Sequence, residues 1–179
     1  MHDGETKPAG GYRPKHIAEA LLARAMMGLF SLLPLDAASA VGGFLARRIG
    51  PLTGVSNKAA ARLKEFFPDL TTQEIHEQII GMWDNLGRTV AEFPHLSELD
   101  TRATNDRVEV IGGEYLEDLK KQGKAAIFYS AHFANWELVP LAVDQRGLAT
   151  TIAYREANNP LVDKMIRNLR SRAVTANHV

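Results

Sequence analysis

The chain has 179 residues, enough for one domain with a real core, and its 45% hydrophobic and 23% charged content excludes wholesale disorder. Its 21 basic side chains balance 21 acidic ones, so no global field favours nucleic acid. Cysteine is absent, which excludes disulfides and thiolate metal sites and fits a reducing compartment.

Residues 1–15 are polar, carry Gly10-Gly11 and two prolines, and read as a flexible leader rather than a secretory signal. Residues 16–100 read as a helical, membrane-associated part. No run of about 20 uncharged apolar residues exists, so a clean transmembrane helix is not expected; Ile17 to Leu35 comes closest. A first helix is predicted over 17–33 and stopped by Pro34. Asp36 is placed to cap a second over 37–49, which Gly50-Pro51 ends. With Arg13, Lys15, Arg24, Arg47 and Arg48 around them, two short apolar helices suit the interface of an anionic membrane, or else a buried hairpin. A third helix is predicted over 57–67. Thr71 and Glu74 then form a capping box opening a long helix to about Ala91, with Ile75, Ile79, Met82, Trp83, Leu86 and Val90 on its inner stripe and His76 and Glu77 facing solvent. Glu92 and His95 at its end read as a surface loop pair.

After Asp100 the pattern alternates. Val108 to Ile111 reads as a strand, and 114–122 as a helix with Tyr115, Leu116 and Leu119 inward, ended by Gly123. Ala125 to Tyr129 reads as a buried strand, 135–144 as a helix, Ala149 to Tyr154 as a strand and 161–172 as a helix. In the last helix Lys164, Arg167, Arg170 and Arg172 read as a solvated basic face. The expected fold class is therefore α/β, a helical N-terminal part followed by a βαβαβα, mostly parallel sheet over residues 101–179. With few strands for a covered sheet, the α/β core reads as incomplete, that is, truncated.

The stretch AAIFYSAHFANWE, Ala125 to Glu137, is where chemistry is expected. Histidine is the side chain suited to take a proton near neutral pH, and a carboxylate on its other ring nitrogen would fix its tautomer. Five positions of a regular helix turn through about 140°, so His132 and Glu137 can meet only if His132 lies in the turn before the helix. Asn135 reads as the cap of that helix. A helix N-terminus nearby favours an oxyanion or a phosphate. One His and one Glu fall short of a metal site, so no metal and no cofactor are expected.

FYSAHFANWEL, followed by IAYREANNPLVDKMIRNLRSR, resembles the lipid A biosynthesis acyltransferases, the lauroyl/myristoyl transferases of Gram-negative bacteria. These belong to the lysophospholipid acyltransferase superfamily, marked by His-x4-Asp or His-x4-Glu, which here is His132 to Glu137. Asn135-Trp136-Glu137 and the block Tyr154-Arg155…Asn159-Pro160 are similar to the lipid A branch. Ala134 stands where the family often has glycine, Glu156 where it often has proline, and members continue well past Val179. The resemblance implies transfer of a fatty acyl chain from an acyl carrier protein thioester, or acyl-CoA, to a hydroxyl of a phosphorylated lipid A precursor at the cytoplasmic face of the inner membrane. It implies His132 as general base and Glu137 as its partner. Guanidinium suits phosphate, which makes Arg155 an acceptor-binding candidate, grouped with Asn135 and Asn159. A glycerolipid acyltransferase acting on a lysophospholipid, and a non-catalytic membrane-binding fragment, are the competing readings.

Overall fold

The computed structural model describes residues 12–133, 135–175 and 177–178. Most of the expected leader lies outside the described residues, and its last two positions are already helical. The described chain is mostly helical: α1 (Pro14–Ser31), α2 (Leu35–Ile49), α3 (Gly54–Phe66), α4 (Thr72–Glu92), a 3-10 turn at Phe93–Glu98, α5 (Gly113–Gln122), α6 (Leu138–Gln145) and α7 (Pro160–Ala173). The only strand pairing among the described residues is parallel, between β1 (Thr151–Ile152) and β2 (Asn177–His178).

Helix ends follow their sequence signals. The capping box of α4 forms: the Thr71 hydroxyl accepts from the Glu74 N–H at 3.2 Å and the Thr71 N–H donates to the Glu74 carboxylate at 2.7 Å. Asp36 does not cap α2. Pro34 takes that place with an extended backbone, and Asp36 pairs with Arg107 instead.

Helices α2 and α4 run antiparallel in close contact. Gly50 lies against Trp83, Arg47 pairs with Asp84 at 2.8 Å, Gly42 meets Gly87 and Ala91, and Ser39 reaches Glu92 at 2.7 Å, a descending order on one helix against an ascending one on the other. The approach is close because glycine faces glycine: a Cβ on Gly42 would stand 2.5 Å from the Ala91 Cβ and overlap the Gly87 carbonyl. Trp83 closes the far end, its indole N–H donating to Ser56, whose hydroxyl donates to the Gly50 carbonyl.

The main apolar cluster draws on both sides of residue 100. Phe93, Leu96, Leu99, Leu141 and Val174 are buried together, with Met27 of α1 and Ile166 and Leu169 of α7 packed on them. The Gln145 side chain accepts from the Thr101 N–H and hydroxyl and donates to the Leu99 carbonyl, tying α6 to this chain reversal. Asn159 caps α7 and its amide reaches back to the His16 carbonyl and the Glu19 carboxylate of α1, each at 2.9 Å.

The sheet departs most from expectation. Val108 to Ile111 is not a strand: Asn105 accepts from the Arg107 and Val108 N–H groups, and the Thr104 hydroxyl accepts from the Val110 N–H, so this backbone is spent on a local turn. Nor is Ala125 to Tyr129 a buried strand. It forms no backbone hydrogen bonds among the described residues, and Ile127 and Tyr129 are 92% and 95% exposed, because no neighbouring strand lies alongside to pair with it. The parallel βαβαβα sheet is thus reduced to the β1–β2 pairing. Tyr115 is exposed rather than inward, whereas Leu116 and Leu119 are half-buried. His76 and Glu77 face solvent as expected.

Candidate functional site

A cleft of about 780 Å³ lies between the extended segment 124–132 and the segment 149–155, with Trp136, Glu137 and Arg170 on its inner wall. His132 and Arg155 both line it. His132 sits in irregular backbone before α6, which meets the geometric condition for it to face Glu137. Its ring is exposed and rests edge-on against the Trp136 indole, with centroids 4.6 Å apart and planes at 65°. Asn85 of α4 donates to the His132 carbonyl at 3.4 Å.

Glu137 is the buried partner, 3% exposed at the start of α6. Its carboxylate accepts from Arg170 Nε at 2.8 Å and Nη2 at 2.6 Å, and from the Trp136 indole N–H at 2.9 Å. No hydrogen bond joins it to His132 among the described residues. The two side chains share one cleft wall without forming a dyad, because the bidentate guanidinium holds the carboxylate. Arg170 is therefore a correction to the solvated basic face. Its side chain is 13% exposed, and its guanidinium lies over the rings of Tyr154 at 4.9 Å and Phe93 at 5.9 Å. Its Nη1 is buried without a hydrogen-bond partner. The missed signal was spacing: Asp163, Ile166 and Arg170 recur at three, four and seven, so they share one helix face. Lys164, Arg167 and Arg172 are exposed as expected.

Asp163, on the same face, is buried and organises the segment after β1. It accepts from the Tyr154 hydroxyl at 3.2 Å and the Ala157 N–H at 2.9 Å, and pairs with Arg167. Burial, then the Asp163 charge, pushes the Tyr154 phenol above its ordinary range. The neighbouring Arg155 is exposed and its guanidinium reaches Asn158 at 3.4 Å, not Glu156 or Asp163.

The two asparagines are engaged differently from Arg155. Asn159 spends its side chain on the α7 cap and on α1, away from the cleft lining. Asn135 donates to Glu92 at 2.8 Å and accepts from the Glu137 N–H at 3.1 Å; it is not the expected cap of α6, because the helix begins only at Leu138 and its cap position falls on Glu137. Glu92 itself bonds Asn135 and Ser39, so it does not pair with His95. His95 is 4% exposed, with Nδ1 2.7 Å from Glu98 and Nε2 3.1 Å from the Phe30 carbonyl, a buried brace rather than a surface loop pair. Among the described residues no group of three His, Asp or Glu side chains converges to hold a metal.

A buried carboxylate at the start of a helix thus lines the same cleft as a solvent-open histidine. The family of bacterial lipid A biosynthesis acyltransferases matches residues 12–176, and the chain belongs to that family. No curated protein and no solved structure matches it.

Proposed function

We propose that the chain transfers a fatty acyl group from an acyl carrier protein thioester, or acyl-CoA, to a hydroxyl of a phosphorylated lipid A precursor. The observation that carries this reading is the cleft shared by exposed His132 and buried Glu137 in a member of an acyltransferase family. His132 takes the proton of the acceptor hydroxyl, and the oxygen bonds to the thioester carbonyl carbon. The carbon–sulfur bond then breaks and the thiol leaves with the proton from His132. Glu137 supplies the negative charge that stabilises the imidazolium, once the exposed turn carrying His132 swings its ring inward. Arg155, solvent-exposed on the same cleft, binds an acceptor phosphate, with Asn135 bracing the turn before α6 and Asn159 capping α7.

We place this chemistry at the cytoplasmic face of the inner membrane. Leu21, Leu22 and Leu29 of α1, Leu32 beyond it, and Val41, Phe44 and Ile49 of α2 are exposed, with Arg24 and Arg48 among them. No described helix is long and apolar enough to cross a membrane, so interfacial contact is the geometry these faces support. The same faces favour a second reading, a non-catalytic membrane-binding fragment. The deciding experiment incubates the purified chain with labelled acyl carrier protein thioester and lipid A precursor, beside anionic vesicles. Transfer by the wild type that is lost in His132→Ala, with unchanged circular dichroism, is the expected result. Transfer retained by His132→Ala overturns the base assignment; vesicle binding without any transfer establishes the second reading.

A further inference from the structure

We propose that Glu92, at the far end of α4, is a positioning residue for the catalytic turn. The inference rests on the acyltransferase reading given above. Glu92 lies outside the His132 cleft, on a separate cavity behind the turn that also carries Asp36, Ser39, Arg88 and Asn135. Its two carboxylate oxygens are divided between two segments of chain. Oε1 accepts from the Ser39 hydroxyl of α2 at 2.7 Å, and Oε2 accepts from Asn135 Nδ2 at 2.8 Å.

That division fixes more than a contact. An asparagine amide has a donor end and an acceptor end, and holding the NH2 against a carboxylate sets which way the other end points. The Asn135 carbonyl therefore faces the Glu137 N–H, which it accepts at 3.1 Å. With the Glu137 backbone held, its side chain is aimed at Arg170 and the cleft. Trp136, between these two anchored residues, supports the His132 ring. A single carboxylate thus sets the register of both members of the catalytic pair from the opposite side of the turn. Its location also works against local helix stability. A negative charge at a helix C-terminus opposes the macrodipole, so Glu92 has no role in stabilising the end of α4 itself. Arg88, one turn earlier, already satisfies its charge with Asp84, and its contact to the Ser39 hydroxyl is 3.4 Å.

The test compares Glu92→Leu, Glu92→Gln and Ser39→Ala in the full chain, reading kcat and KM for acyl transfer and hydrogen exchange of the Glu137 backbone amide. Glu92→Leu is expected to lower kcat by tenfold or more with KM changed less than twofold, and to speed Glu137 amide exchange by at least tenfold. Glu92→Gln keeps a carbonyl for Asn135 and is expected to recover most of both. Ser39→Ala removes the other donor and is expected to leave both within twofold of wild type. Wild-type exchange in Glu92→Leu overturns the proposal, as does an equal loss in Ser39→Ala, which would assign the effect to α2–α4 packing. A wild-type chain without transfer activity defeats the acyltransferase reading, while the exchange series still decides whether Glu92 holds the turn.

Discussion

Replacing Gly42 by alanine tests the account of the α2–α4 contact most directly. In an open helix this change is favourable by about 1 kcal/mol, because alanine loses less backbone freedom than glycine. Gly81, exposed on α4 with nothing within 4 Å of its would-be Cβ, is the matching open position. At Gly42 the new methyl would sit 2.5 Å from the Ala91 Cβ and overlap the Gly87 carbonyl. Carbon atoms in contact prefer about 3.5–4.0 Å, so the helices must part by about 1 Å, and gaps of that size forfeit a quarter to a half of each contact's dispersion energy. Over-packing of this kind costs about 1–3 kcal/mol, and the upper end applies because backbone and Cβ atoms cannot rotate away. The net expectation is a loss of about 2 kcal/mol for Gly42→Ala against a gain of about 1 kcal/mol for Gly81→Ala. At about 2–4 °C per kcal/mol for a chain of this size, thermal unfolding should separate the two variants by about 6–12 °C. Equal Tm values for the two variants would refute the close-contact argument.

Two further outcomes follow from the ion pairs. Arg170→Ala leaves the Glu137 carboxylate buried with only the Trp136 N–H, and urea unfolding should register a loss of about 3–5 kcal/mol, most of it recovered in the double variant Arg170→Met, Glu137→Leu; a loss below about 1 kcal/mol would contradict the burial of the pair. Asp100 is held down to about 2, first by the hydrogen bonds from the Arg102 guanidinium and then by the Arg102 backbone N–H. Since its folded value lies below the ordinary 3.8, its contribution is complete above pH 4 and is lost as pH falls from there towards 2. Asp100→Asn should therefore flatten acid unfolding within that window and leave stability near pH 7 lower than wild type.

The helices were legible because their signals are local. Periodic apolar positions, the Thr71–Glu74 box and the Pro34 and Gly50 stops act within a few residues, and the observed ends lie within a few positions of expectation. The sheet was not, because a strand is a property of its neighbour: Ala125 to Tyr129 has the composition of a strand but no chain beside it. The candidate site divides along the same line. His132 and Glu137 were singled out by residue type and spacing; both line one cleft, and His132 does precede the helix. Their present separation was not legible, since it follows from Arg170, 33 residues away in sequence. Glu92 and Asn135 meet across 43 residues. A long-range polar contact leaves no periodic trace. Only the burial-compatible register of Arg170 on α7 and the unfavourable place of Glu92 at a helix end hinted at either.

The clamp between Asn159 and α1 carries a consequence for the order of synthesis. Asn159 reaches the His16 carbonyl and Glu19 across 143 and 140 residues of chain. At roughly 5–20 residues per second, α1 leaves the ribosome roughly 7–29 s before its clamp exists. During that interval α1 can already pack on the end of α4, where Phe30 is buried with Ala38 and Ala91, while the side later covered by α7 stays open. α7 is therefore the last helix to dock on α1, closing over a face that the earlier part of the fold leaves open.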